Sequence, residues 1–168
     1  MAYLKFKIKD GKLIARRFKC ISLLEGSNTK VNRLSPSKIM ELLATHLKSK
    51  CKRYTHNVEK CFIEGQYRRN KKALLVYNSL EFFYRYHEIP VIKISPKQKY
   101  SILCENNTRI KDYQKRKKQV VKWFEEILER DKSPLIIPYR YTYRYYVAKK
   151  KDDIADCFLM SLCHFGII

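Results

Sequence analysis

Leu4, Phe6 and Ile8 alternate with Lys5 and Lys7, and Asp10-Gly11 follows at once. An extended strand places every second side chain on one face, so the alternation predicts a strand with one buried side. Asp-Gly is the dipeptide that closes a two-residue type I′ turn, because both central positions need positive φ. Leu13 to Leu23 then resumes as a second strand, and residues 3–23 read as a hairpin. Ser35-Pro36 opens a helix, with serine as N-cap and proline at the first helical position. Its stripe is Ile39, Leu42, Leu43 and Leu47, and Lys48 to Arg53 forms a basic exit.

Farther along, Cys61-Phe62-Ile63 is a short apolar run ending in Glu64, which predicts a buried strand. Residues 72–87 carry Val76, Tyr77, Leu80, Phe83 and Tyr84 at helical spacing, and Val91-Ile92-Lys93-Ile94 is another strand. Residues 112–130 are helical, with Val120, Val121, Phe124, Ile127 and Leu128 as the stripe. A last helix covers about 151–165, with Ala155, Phe158, Leu159 and Leu162 facing inward. The order β-β-α-β-α-β-α-α predicts an α/β fold, a mixed sheet flanked by helices. At 168 residues the chain is long enough for one domain with a single core.

Charge narrows the partners. Lys and Arg number 37 against 16 Asp and Glu, a net +21, while 45% of residues are apolar. A folded domain with that excess must meet a polyanion or stay heavily solvated. Nucleic acid leads, since neutralised phosphates release counterions. A membrane surface is the weaker alternative, and no apolar run or signal-peptide pattern supports it. The six cysteines form no CxxC pair and read as reduced thiols of an intracellular protein. Cys157, Cys163 and His164 match no usual zinc spacing.

Chemistry concentrates near the C-terminus, in Lys149-Lys150-Lys151-Asp152-Asp153-Ile154-Ala155-Asp156. On a helix the three carboxylates share one face of the first turns, where they repel unless a cation is present. Two readings stand: acids stabilised by the helix macrodipole, or oxygen ligands for a hard divalent ion such as Mg²⁺. Glu64 ends a strand and precedes Gly65-Gln66-Tyr67-Arg68-Arg69; it is either a surface glutamate or part of a phosphate-facing site. Tyr139-Arg140-Tyr141-Thr142-Tyr143-Arg144-Tyr145-Tyr146 interleaves rings and cations. That segment either stacks on unpaired bases at a DNA entrance or is a β-type segment packing one face.

Four motifs occur in order: Phe62-Ile63-Glu64-Gly65-Gln66-Tyr67-Arg68-Arg69, Val91-Ile92-Lys93-Ile94-Ser95-Pro96, Arg116-Lys117-Lys118 heading a helix, and Lys151-Asp152-Asp153-Ile154-Ala155-Asp156. Together they resemble the RuvC-like Holliday junction resolvases of poxviruses and related large DNA viruses. The resemblance implies an RNase H-like fold and a homodimer that cuts four-way DNA junctions with Mg²⁺, for which Mn²⁺ substitutes. It makes Glu64, Asp153 and Asp156 catalytic metal ligands with Asp152 auxiliary, around two ions about 4 Å apart. Lys117 or Lys118 would meet the scissile phosphate. Arg68, Arg69, Lys115, Arg116, Lys117, Lys118, Arg140, Arg144, Lys149, Lys150 and Lys151 would contact DNA. No membrane and no small-molecule cofactor are implied, and a viral member would work at a cytoplasmic replication site or in the nucleus.

The family pattern begins with a central strand ending in Asp-x-Gly, which contributes a metal ligand, whereas Met1-Ala2-Tyr3-Leu4 resembles the start of the second strand. Residues 1–168 are therefore expected to be one resolvase domain that is N-terminally incomplete and cleaves poorly unless extended upstream. A catalytically impaired junction-binding module and a basic structural nucleic-acid-binding protein are the alternatives.

Overall fold

A computed structural model of the chain describes residues 2–21, 33–66, 69–95, 97, 112–130, 132–148 and 150–168. They belong to two compact units, one formed by residues 1–21 with 97–168 and the other by residues 22–96. Tyr67, Arg68, Pro96, Cys104 and Lys149 lie outside the described residues, as does the side chain of Arg140.

The first unit begins with the hairpin. Strand β1 (Ala2–Lys9) pairs antiparallel with β2 (Lys12–Cys20). Asp10 and Gly11 have φ of 52° and 68°, the two positive angles that a type I′ turn requires. The pairing carries one irregularity: Lys5 faces Arg17 while Phe6 faces Ala15, so Arg16 is an extra residue. This bulge resets the alternation. Leu13 and Ala15 are buried, and Phe18, out of step with them in sequence, returns to the same face.

Helix α4 (Tyr113–Leu128) starts at Asp112, whose carboxylate accepts a hydrogen bond from the Lys115 amide at 2.7 Å. It buries Val120, Phe124 and Ile127. Strand β5 (Leu135–Ile136) runs parallel to Leu13-Ile14, giving a three-stranded mixed sheet ordered β1-β2-β5. Helices α5 (Tyr139–Tyr146) and α6 (Lys151–His164) complete the unit. Helix α6 ends in a Schellman closure: Ile167 N–H donates to Leu162 O and Gly166 N–H to Cys163 O, with Gly166 at φ 62°. Phe124 and Phe158 stack at 4.9 Å, and Phe18 meets Phe158 edge-on at 5.3 Å. Each such pair adds roughly 0.5–1.5 kcal/mol beyond the area it buries.

Residues 139–146 are helical, not the β-type segment that the alternation of rings allowed. Tyr141 and Tyr145 stand four apart and are both buried, against Phe18 and Phe124 respectively. The spacing that reaches this core is one helical turn, and Pro138 lies immediately before the first turn.

The second unit is a βαβ crossover with a helical appendage. Helix α1 (Pro36–Ser49) is capped by Ser35, whose hydroxyl accepts from the Lys38 amide at 3.2 Å, and buries Ile39, Leu43 and Leu47. A short helix α2 (Cys51–Thr55) follows. Strands β3 (Cys61–Glu64) and β4 (Val91–Ile94) pair in parallel, with Glu64 facing Ile94 across the register. Helix α3 (Lys71–Tyr86) links them, capped by the Asn70 side chain. Strand β3 is half-buried along its whole length. No helix among the described residues is long and apolar enough to cross a membrane.

Candidate functional site

The acids of α6 occupy its first turns. The first turn of any helix leaves amide N–H groups unsatisfied, and the macrodipole favours anions there. Lys150 occupies the cap position without a side-chain cap bond, so Asp152 and Asp153 are the acids at this end. Ile154, Ala155 and Phe158 fix the opposite side of the helix in the core. Asp152, Asp153 and Asp156 are all half-buried.

Each of the first two carboxylates meets an ammonium group. Lys117 Nζ lies 2.5 Å from Asp152 Oδ2, and Lys150 Nζ lies 3.9 Å from Asp153 Oδ2. Lys117 also sits over the Tyr113 ring at 5.1 Å. The hydrogen bond with Asp152 holds the Lys117 ammonium above the usual lysine range, against the opposing effect of burial. Lys118, next in sequence, is exposed. Of the two lysines named from sequence, Lys117 is the one that meets a carboxylate among the described residues.

Several other cations of this unit lie over tyrosine rings or face solvent. Lys151 Nζ stands 5.1 Å from the Tyr146 ring centroid and 5.6 Å from that of Tyr145. The Arg144 guanidinium lies 5.4 Å from Tyr141 and that of Arg116 5.8 Å from Tyr113. Arg116 Nε is buried and has no hydrogen-bond partner among the described residues. Lys115, Arg144 and Lys150 are exposed. Tyr145 donates its hydroxyl proton to Glu125 at 3.3 Å; burial and that carboxylate push its ionisation well above the usual range.

Sequence reasoning missed Cys20. Its Sγ donates to the Lys150 carbonyl at 3.5 Å, bringing the end of β2 to the start of α6. Burial first, then the nearby Asp153, pushes its thiol up, so it remains a neutral donor. The displaced alternation at Arg16 is what turns Cys20 toward the core, and nothing in the residues around position 20 signals it.

In the other unit Glu64 is half-buried at the end of β3. Gly65 N–H continues the pairing by donating to Ile94 O at 2.8 Å. A Cβ at Gly65 would approach Lys93 Cε to 2.5 Å, so the glycine leaves room for that side chain to cross. Lys93 reaches over the Tyr77 ring at 5.6 Å. Arg69 is exposed, just ahead of the α3 cap. Arg68 and Lys149 lie outside the described residues, and Arg140 belongs to α5 by its backbone.

The carboxylates are of the chemistry that a hard divalent cation takes, and Mg²⁺ wants near-octahedral oxygen coordination. In number they fall short: Asp152 is engaged by Lys117, and among the described residues no group of three or more His, Cys, Asp or Glu stands close enough to hold a metal ion.

The family model described as Poxvirus A22 protein matches residues 14–165. The chain belongs to this family. The matched span contains Glu64, Lys117 and all three acids of α6. A crystal structure of fowlpox virus resolvase with substrate Holliday junction DNA resembles the chain at a TM-score of 0.59 and 17% identity, covering 98% of this chain and 89% of that one. The α/β architecture expected from sequence, a small mixed sheet flanked by helices, is thus shared with that resolvase. No curated protein matches the chain by sequence.

Proposed function

We propose that this family member is a Holliday junction resolving endonuclease, a nuclease that binds branched DNA and hydrolyses its phosphodiester backbone. The observation that carries the reading is the family match across residues 14–165, which takes in every acid and base of the motif. The chain's own residues supply three functions. Exposed cations at Lys115, Lys118, Arg144 and Lys150 take phosphates and fix the register on DNA. Lys117 brings a fixed positive charge to the backbone at the cleavage point. By the family resemblance Glu64, Asp153 and Asp156 are the acids that would hold a divalent metal, Mg²⁺ or Mn²⁺. When bound, such ions activate water and stabilise the leaving oxygen.

The 168 residues act as one resolvase domain working as a homodimer inside the infected cell. For the dimer the support is on α3, where Phe82 and Tyr86 are 72% and 74% exposed and stack at 6.3 Å. A stacked pair of exposed rings offers apolar surface that a second copy can cover. A second reading, a junction-binding module with impaired catalysis, is favoured by one observation: the described residues bring no three metal-donating side chains together.

A labelled four-way junction and a linear duplex of equal length, at matched salt and with Mg²⁺, test the proposal. Preferential binding of the junction is expected, and paired strand cuts would identify the resolving enzyme. Preferential binding without cuts supports the second reading. Equal affinity without cuts overturns both.

A further inference from the structure

We infer that Asp152 is a positioning residue for Lys117 and not a metal ligand. The inference rests on the nuclease reading and refines the roles within its site. The resemblance makes Asp152 only an auxiliary to Asp153 and Asp156, and the geometry gives it a partner of its own. Asp152 places Oδ2 2.5 Å from Lys117 Nζ, while Asp153 is 3.9 Å from Lys150. Asp152 is also the more enclosed partner of its pair, its side chain 18% exposed against 35% for Lys117. The Tyr113 ring, 5.1 Å from Nζ, gives the ammonium a second contact. An ammonium ion at hydrogen-bond distance occupies an acceptor site on Oδ2 and offsets the carboxylate's charge, so it competes with a metal ion for that oxygen. A flexible lysine gains a fixed position that its four-carbon stem, rich in rotamers, lacks alone. The pair bridges α4 and α6, so it also sets where the cation stands relative to Asp153 and Asp156. The neighbouring Lys118 is exposed, and among the described residues no carboxylate pairs with it.

The roles are told apart by metal binding and by coupling. Mn²⁺ serves as the probe, followed by electron paramagnetic resonance of the free ion, with wild type, Asp152→Asn and Asp156→Asn compared without DNA. Asp156→Asn is expected to weaken Mn²⁺ binding at least tenfold and Asp152→Asn to leave it within twofold. In junction cleavage, Asp152→Asn and Lys117→Met each lower kcat with KM for DNA unchanged, the double variant is no worse than Lys117→Met, and Asp152→Glu recovers part of the loss. Equal loss of Mn²⁺ by both aspartate variants would overturn the assignment, as would multiplicative effects on kcat.

A third measurement needs neither metal nor activity: the urea midpoints of the two single variants and the double, in chelator. Shifts that fail to add confirm the Asp152–Lys117 contact, and additive shifts remove it. If wild type neither binds Mn²⁺ nor cuts, the nuclease reading falls, and the urea cycle still decides whether Asp152 holds Lys117.

Discussion

One oxygen-to-nitrogen exchange at position 156 should separate binding from chemistry. Asp156→Asn keeps the size and the helical environment while removing one negative charge and one hard donor. Cleavage should be abolished, and junction affinity should be kept or raised because a charge that repels phosphate is gone; cleavage surviving the change would remove Asp156 from the site. Lys117 offers a prediction with pH as the variable. The Asp152 hydrogen bond raises its folded-state ionisation above the unfolded value. The pair's contribution to stability is therefore complete below the ordinary lysine value of about 10.4 and is lost as pH climbs through the higher folded value. Both side chains are partly exposed, which limits that contribution to under about 1 kcal/mol. Urea midpoints of wild type and Asp152→Asn should differ slightly at neutral pH and converge only in strong alkali. Convergence already near pH 8 would contradict the pairing.

The elements repeat the distinction between what sequence carries and what packing adds. The hairpin was legible because Asp10-Gly11 admits few other turns. The helices were legible because their apolar residues recur at helical spacing and Ser35-Pro36 marks a start. The bulge at Arg16 was not, since no residue type announces an extra position, and Cys20 was missed with it. Helix α5 was misread in part because tyrosines at every second position fit a strand as well as a helix; only the depth of Tyr141 and Tyr145 in the core decides. Which of Lys117 and Lys118 faces the acids was likewise invisible, since adjacent residues differ by 100° of helix. Phe158 ties α6 to both Phe124 and Phe18. Phe158→Ala should cost about 3–5 kcal/mol, read from urea unfolding, and should loosen the start of α6 together with the rest of the helix. On α5 the outward rings Tyr139 and Tyr143 are exposed. Tyr143→Ala should leave stability within about 0.5 kcal/mol while weakening binding to junctions with unpaired bases at the centre; unchanged affinity would return that ring to plain solvent exposure.

For the whole molecule, the charge of +21 sets the scale of DNA affinity. Each phosphate neutralised contributes about −0.9 to the slope of log affinity against log salt on duplex DNA. A steep slope should therefore accompany both junction and linear substrates, with the preference for the junction persisting where the nonspecific part has been screened away. A preference that vanishes in salt would leave electrostatics alone. The dimer is tested by Phe82→Ala with Tyr86→Ala, which should shift sedimentation toward the monomer without lowering the unfolding midpoint, because both rings are already in water. The bulge has a consequence for how the chain tolerates changes in length. Deleting Arg16 removes the one unpaired position of β2, so Leu13, Ala15 and Phe18 keep their inward side and every pairing from Ala2 to Lys9 survives. Deleting Ile14 instead throws one side of the strand out of phase. A three-nucleotide deletion at codon 16 should thus yield a folded, flatter hairpin, whereas the same lesion two codons earlier should leave little protein to purify.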